Sequence, residues 1–363
     1  MPLLKQTLSE IAPVSSKLDD AIQNHLNDLT KPVGALGQLE DVAFRYARIR
    51  EAIVPGLPTK RLYTFAADHG VVEEGVSAFP AAVTPQMVVN MLHGGAAINV
   101  FGRHVNCDVR VVDIGVDADL SEFKGLIHRK VRRGTGNMVH EAAMTTAETL
   151  DAIGVGIQLA HDAANDGVTI VGTGEMGIGN TTASAAIMHV LLPCGLSEIT
   201  GRGTGIDDAG LQRKRNAIAA AVRRHRLQPS KKRFDPLVAL ASVGGLEIAG
   251  ITGLILGAAS RRLGVVVDGF ISSAAALVAY RLKPEISDYL FFSHRSAEQG
   301  HRRFLEEMQA QPLLDLGFRL GEGTGAALAM SLIDAAVKMS REMATFSSAG
   351  VSDEHTADNE GAA

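Results

Sequence analysis

The sequence predicts an α/β protein: a doubly wound, mostly parallel sheet with helices on both faces, joined by a smaller helical domain built from the N- and C-terminal segments. Three observations predict it. Short apolar runs rich in β-branched residues alternate with helix-length segments. Several of these runs are apolar on both faces, as parallel strands covered by helices are. Polar or glycine residues gather at the carboxyl end of each run, and in open α/β sheets that edge binds ligands.

The strand-like runs are Arg61 to Ala67, Val109 to Ile114, Val168 to Gly172, Leu237 to Val243, Val265 to Asp268 and Tyr289 to Ser293. At their ends stand Asp68 and His69, Asp113 and Gly115, Thr173 to Glu175, Gly244 and Gly245, Asp268 and Gly269, and Ser293 to Ser296. Lys17 to Leu29 and Gln38 to Arg50 have helical apolar spacing around a TKPVGALG turn, and Ala326 to Met343 is helical and rich in alanine. The expected organisation is a helical segment over 1–55, a large Rossmann-like domain over 56–320, and a helical segment over 321–350 that returns to the small domain. The tail, 351–363, has almost nothing to bury and is expected to be disordered. Lys214 to Arg226 reads as a helix with a basic, solvated face continued by Lys231 to Arg233. The apolar stretch Ile248 to Ala259 falls short of the roughly 20 residues that span a bilayer and reads as a buried helix.

With 363 residues and 46% hydrophobic content the chain can bury a sizeable core. Its 35 basic and 40 acidic residues give a formal charge of −5, which offers no global attraction to nucleic acid or anionic membrane and leaves small molecules as the expected partners. Cys107 and Cys194 are too few for a disulfide framework and have no zinc-ligand spacing, and the N-terminus lacks the basic start and apolar run of a secretory signal. A reducing cytoplasm is the expected compartment.

The most informative stretch is Val168 to Ile187, VTIVGTGEMGIGNTTASAAI: a β-branched run, a glycine-rich turn with one acid, then a helix of small residues. Such a turn points free backbone N–H groups beyond the sheet, a ready place for a phosphate. Gly172, Gly174 and Gly177 fall at dinucleotide-fingerprint spacing, but that reading needs an acid at the tip of the next strand about 20 residues on. Glu198 lies near that distance in the loop-like CGLSEITGRG, which does not meet the requirement. Further glycine turns are GRGTGIDDAG, VGGLEIAG and LGEGTGAALAM. In the last, Glu322 stands between glycines before a helix, either as a favourable N-terminal charge or as a catalyst. Glu175, an acid in a phosphate-type loop, suits hydroxyls or a cationic ring. Asp68 and His69 read as a hydrogen-bonded structural pair or as a proton-transfer pair. Ser77 and Gln86 bring polar groups beside Phe79, Met87 and Met91, a lining for a flat aromatic ligand; the same residues also read as a helix start capped at Thr84 with Pro85 at its first position.

In order along the chain, TKPVGALGQLE, GVSAFPAAVTPQMV, GTGEMGIGNTTASAA, GRGTGIDDAGLQRK, VGGLEIAGITG, VVVDGFISSAAALVA, SHRSAEQGH and LGEGTGAALAM resemble the nicotinate-nucleotide–dimethylbenzimidazole phosphoribosyltransferase family of cobalamin biosynthesis, from about Thr30 to Val351. The resemblance implies transfer of 5-phosphoribosyl from nicotinate mononucleotide to 5,6-dimethylbenzimidazole, giving α-ribazole 5′-phosphate and nicotinate. It also implies that Glu322 is the catalytic base and that Glu175, Gly177, Gly203, Lys214, Ser293 and Ser296 surround the nucleotide and its phosphate. Ser77, Gln86 and Met87 fall in the region that the resemblance places around the benzimidazole. A homodimer is implied, and no metal or cofactor is called for, because the leaving group is not pyrophosphate. Two other readings stand beside it. One is a metal-dependent phosphoribosyltransferase using the pyrophosphate donor, although its usual paired acids follow an apolar strand whereas Asp207–Asp208 follows GRGTGI and continues into a helix; the other is a non-catalytic binder of nucleotide or benzimidazole.

Overall fold

The computed structural model describes residues 2–229 and 234–351; the basic run Lys231 to Arg233 and the tail beyond Val351 lie outside the described residues. Six strands, β1 (Lys60–Ala67), β2 (Asp108–Gly115), β3 (Ile127–His128), β4 (Ile170–Met176), β5 (Gly264–Val267) and β6 (Leu290–Phe292), form a sheet in the order β3-β2-β1-β4-β5-β6. Every pairing is parallel. The chain winds outward from β1 in one direction and from β4 in the other, and right-handed crossovers then put helices on opposite faces. The expected doubly wound class is therefore what forms, with its topological switch point between β1 and β4.

The helices are α1 (Pro2–Glu10), α2 (Asp19–Asp28), α3 (Gln38–Arg50), α4 (Val83–Leu92), α5 (Ala97–His104), α6 (Thr146–Asn165), α7 (Asn180–Leu191), α8 (Leu196–Ile199), α9 (Asp208–Arg224), α10 (Pro236–Val243), α11 (Leu246–Ser260), α12 (Phe270–Leu282), α13 (His301–Glu307), α14 (Thr324–Glu342) and α15 (Phe346–Ala349). None among the described residues is long and apolar enough to cross a membrane. The core is densest along α11, buried from Leu246 to Ala259. Its glycines make that depth possible, because a Cβ on Gly253 would lie 1.9 Å from the Ile153 carbonyl oxygen of α6, and one on Gly250 would meet Phe65 of β1 and Ile114 of β2. Backbones packed this closely have no room for a methyl group.

The chain divides into two compact units. The larger comprises the chain up to Ala12 and Thr59–Met330, so α1 counts with it and packs on α6 and α11. The smaller comprises Pro13–Pro58 and the chain from Ser331 onward. Within the smaller unit, Glu40 accepts from the Leu36 amide at 2.9 Å and pairs with Lys31 at 2.9 Å, which closes the TKPVGALG turn. Leu29 bridges to Thr345, and His25 Nε2 lies 2.7 Å from the Ser340 carbonyl oxygen.

Four local expectations are corrected. Leu237 to Val243 is helix, not strand: Asp235 accepts from the Leu237 and Val238 amides at 2.8 and 3.4 Å, and Pro236 opens the helix. That start signal outweighs the β-branched character of a short apolar run. The strand expected over Val168 to Gly172 begins at Ile170 and continues through Glu175 to Met176, so Gly172 and Gly174 lie in a strand and the turn falls at Gly177–Gly179. Thr84 does not cap α4, which starts at Val83. Its hydroxyl instead accepts from the Ile178 amide at 3.1 Å, tying the helix start to the glycine turn. Finally, Glu322 is not a charge on its own helix: α14 begins at Thr324, and the carboxylate at its mouth belongs to Asp268.

Candidate active site

The carboxyl ends of β1, β4 and β5 converge on the turn before α14. Residues Gly321, Glu322 and Gly323 all have positive φ, at 87°, 62° and 97°. Glycine adopts this left-handed backbone freely, whereas for glutamate it costs about 1 kcal/mol. Neighbouring elements hold it in place. Thr64 of β1 donates its hydroxyl proton to the Glu322 carbonyl at 2.9 Å. Gly174, its register partner on β4, has no side chain because a Cβ would lie 2.3 Å from that same oxygen. This close approach explains a glycine in mid-strand. The Glu322 side chain leaves its own helix and accepts from the Ile98 amide of α5 through Oε2 at 3.3 Å.

Four buried acids lie in this region. Glu175, next to last in β4, bonds the Asn180 amide group and presses against Gly321, where a Cβ would lie 2.0 Å from its Oε1. Burial, then the charges of Asp268 and Glu247, push its carboxyl up to about 8. Asp268, after β5, accepts from the Gly323 and Ala326 amides at 3.1 and 3.0 Å; burial raises its pKa against those donors and His294. Glu322 is raised as well, by burial and by Asp268, with the Ile98 amide opposing. Glu247 pairs with His69 at 2.7 Å, both fully buried, and although burial disfavours the imidazolium, the Glu247 charge and hydrogen bond win and raise the histidine. The acid that His69 serves is therefore Glu247 rather than its neighbour Asp68, whose Oδ2 accepts from the Asp117 amide at 2.8 Å.

The remaining sequence-selected residues mostly gather along the same edge. Gly177 backs onto β1, where a Cβ would meet the Ala67 carbonyl oxygen at 2.4 Å. Lys214 of α9 is buried, donating to Thr181 Oγ1 of α7 at 2.8 Å and to the Gly201 carbonyl at 3.2 Å. Burial lowers its pKa to about 8, with the Glu298 charge opposing. Gly203, φ 52°, is packed so that a Cβ would lie 2.6 Å from Thr181 Oγ1 and 3.2 Å from the Lys214 ammonium. Ser77 reaches this loop through Thr204, its Oγ 3.3 Å from Thr204 Oγ1. Ser293 Oγ lies 2.9 Å from His294 Nδ1, which is 3.8 Å from Asp268, while the Ser296 amide donates to His301 Nδ1 at 2.9 Å. Gln86 and Met87 lie on α4, Gln86 exposed and Met87 half-buried, and of that helix only Thr84 is bonded to the glycine turn.

Several of these partners carry little signal along the chain. Asp268 has one, a polar residue at the end of an apolar strand, but nothing separates it there from Asp113. Thr64, inside β1, has none. Asp207 and Asp208 do not stand after a strand: Asp207 caps α9 by accepting from the Gly210 amide at 2.7 Å, and Asp208 pairs with Arg202. Glu198 likewise closes the short α8, accepting from the Gly195 amide at 2.9 Å, which removes it as a ribose-binding acid. Among the described residues no group of three or more His, Cys, Asp or Glu is arranged to hold a metal ion.

A family model described as Phosphoribosyltransferase matches residues 11–351. Similar curated proteins include the nicotinate-nucleotide–dimethylbenzimidazole phosphoribosyltransferases of Chlorobium chlorochromatii, 55% identical over 96% of this chain and 98% of that one, and of Geobacter sulfurreducens, 54% identical over 97% and 99%. The solved structure of CobT from Thermus thermophilus superposes with a TM-score of 0.87 at 44% identity, covering 96% of this chain and 99% of that chain. With buried acids at the switch point, a buried lysine on α9 and likeness along nearly its whole length, the chain belongs to the nicotinate-nucleotide–dimethylbenzimidazole phosphoribosyltransferase family.

Proposed function

We propose that this enzyme transfers 5-phosphoribosyl from nicotinate mononucleotide to 5,6-dimethylbenzimidazole, releasing nicotinate and forming α-ribazole 5′-phosphate, with Glu322 as the base. The observation that carries the reading is the Glu322 carboxylate, raised in pKa yet held away from its own helix by a turn anchored on two strands. Nicotinate on ribose is already a pyridinium, so the C1′–N bond breaks with its electron pair passing to the ring nitrogen, and no proton is needed by the leaving group. The lone-pair nitrogen of the incoming ring bonds to C1′ from the opposite face, inverting β to α. Its other nitrogen then yields its proton to Glu322, so charge and atoms balance with one carboxylate. Much of the acceleration comes from holding two rings on opposite faces of one sugar.

Lys214, with the Gly177 and Gly203 turns, holds the phosphate in this reading, because an ammonium lying among neutral oxygens has charge to give an anion. Glu175, with a carboxyl pushed up to about 8, is the neutral partner for ribose hydroxyls, and Ser293 and Ser296 line the nucleotide. Ser77, Gln86 and Met87 flank the benzimidazole, next to the exposed Phe79. We read the enzyme as a homodimer, a reading that the family likeness and the exposed Phe79, Val100 and Leu320 of the larger unit support, and light scattering checks it as twice the mass of the chain. The free cysteines Cys107 and Cys194 support a reducing cytoplasm.

The test is incubation with both substrates, reading nicotinate and α-ribazole 5′-phosphate. Glu322→Gln should cut turnover by about 10³-fold while leaving substrate binding within a few-fold, the range expected for loss of a general base. Wild-type turnover in that variant would remove Glu322 from the mechanism, and absence of both products from the native enzyme would remove the reaction.

A further inference from the structure

We propose that Asp268 is the positioning residue for the base: its carboxylate closes the left-handed turn that aims Glu322, and its negative charge stands behind that base. The inference rests on the reading of Glu322 given above and deepens it.

A glutamate at the mouth of a helix ordinarily folds back onto the free N–H groups of its own first turn, where the helix field favours it. Glu322 does not, and Asp268 takes the Ala326 donor of that turn in its place. Asp268 Oδ2 accepts from the Gly323 amide at 3.1 Å and Oδ1 from the Ala326 amide at 3.0 Å, so a single carboxylate from β5 caps α14 with both oxygens. The capping function is thereby moved to another strand, and the Glu322 side chain is diverted to the Ile98 amide. Thr64 and Gly174 fix the carbonyl side of the turn, and Asp268 fixes its amide side. A backbone conformation that costs a glutamate energy persists only where its surroundings hold it from several directions, and such places cluster at functional sites.

Asp268 is itself held. Its backbone amide donates to Thr173 Oγ1 of β4 at 3.0 Å, and His294 stands 3.8 Å from Oδ1. That imidazole is pressed against α14 so closely that a Cβ on Gly325 would lie 2.0 Å from its Nδ1. The charged and titratable groups bearing on Glu322 are thus Asp268 from the end of β5 and Glu175 from β4, with the Ile98 amide of α5 donating to it and His294, from beyond β6, standing against Asp268. Removing the Asp268 charge relieves a like-charge repulsion on Glu322 and lowers the pH at which the base takes its proton.

The experiment compares Asp268→Asn with Glu322→Gln in the full-length enzyme. Asp268→Asn should lower kcat about 10²-fold, the cost of a misplaced catalytic group, with KM for dimethylbenzimidazole within about threefold. Its acid limb of kcat against pH should move to lower pH. A merely structural role would lower kcat and leave that limb where it is. Asp268→Ser, which keeps one capping oxygen without the charge, gives the same readout if the asparagine variant does not fold. Loss of turnover in Glu322→Gln with an unmoved acid limb in the Asp268 variants overturns this proposal alone; full turnover in Glu322→Gln overturns the base reading and this proposal with it.

Discussion

The acids at the ends of β4 and β5 and the lysine held between α7 and α9 meet the same force and answer it differently. Burial drives both toward neutrality, pushing Glu175 up to about 8 and Lys214 down to about 8. Around the acids the opposing groups are donors supplied by the chain: the Asn180 side chain for Glu175, the Gly323 and Ala326 amides for Asp268, the Ile98 amide for Glu322. Around the lysine they are neutral oxygens, Thr181 Oγ1 and the Gly201 carbonyl, with the Glu298 charge as the countervailing influence. The acid region is thus organised before any ligand arrives. In the proposed reading, the phosphate of the nucleotide completes the lysine's counter-charge.

The largest effect that would break this contrast lies at the lysine. Lys214→Met should raise KM for nicotinate mononucleotide roughly 10- to 100-fold, the worth of a hydrogen bond to a charged group, while the ligand-free protein melts no lower, because methionine fills the volume without a desolvated charge. An unchanged KM would mean that the buried ammonium answers to the chain rather than to the nucleotide. In the wild type, calorimetry should show nucleotide affinity falling as pH rises through about 8, as the lysine loses its proton.

The acid side is sharpened by a stability measurement. Glu175 has a folded pKa near 8 against an ordinary 4.5, so the folded state binds the extra proton between those values and stability falls as pH rises from the lower to the upper. The slope from this one group is at most about 1.4 kcal/mol per pH unit. Glu175→Gln mimics the protonated acid, and melting temperatures across that window should flatten in the variant; equal slopes in the two proteins would show that Glu175 is ionised throughout. The smallest effect is far from the acids. Asp235→Ala removes the cap of α10 and should cost about 1 kcal/mol in denaturant unfolding with no change in kcat, which separates a capping aspartate from Asp268, whose capping is tied to Glu322.

What is legible in the chain follows from the range of the interactions involved. The strands β1, β2 and β5 appear at nearly their predicted bounds because both faces are buried and the apolar run itself reports that. The run at Leu237 reads as a strand because apolar periodicity cannot tell a short buried strand from a short buried helix, and the deciding signal, Asp235–Pro236, lies just before it. The glycine turns are visible, but Gly172 and Gly174 look like turn residues, since sequence records the missing side chain and not what occupies its place.

The sequence by itself determined the fold class and the polar and glycine residues at the carboxyl edge of the sheet, because periodicity and glycine spacing are local and survive without a neighbour; the roles proposed for Glu322 and Lys214 came from the family resemblance of their motifs. Only the tertiary structure decided that Glu322 is turned away from its own helix, that Asp268 takes the capping role, and that Thr64, 258 residues earlier, holds the turn. Each of those depends on a contact between strands brought together by the parallel sheet, and no residue type or spacing along the chain encodes which distant backbone a carboxylate will find.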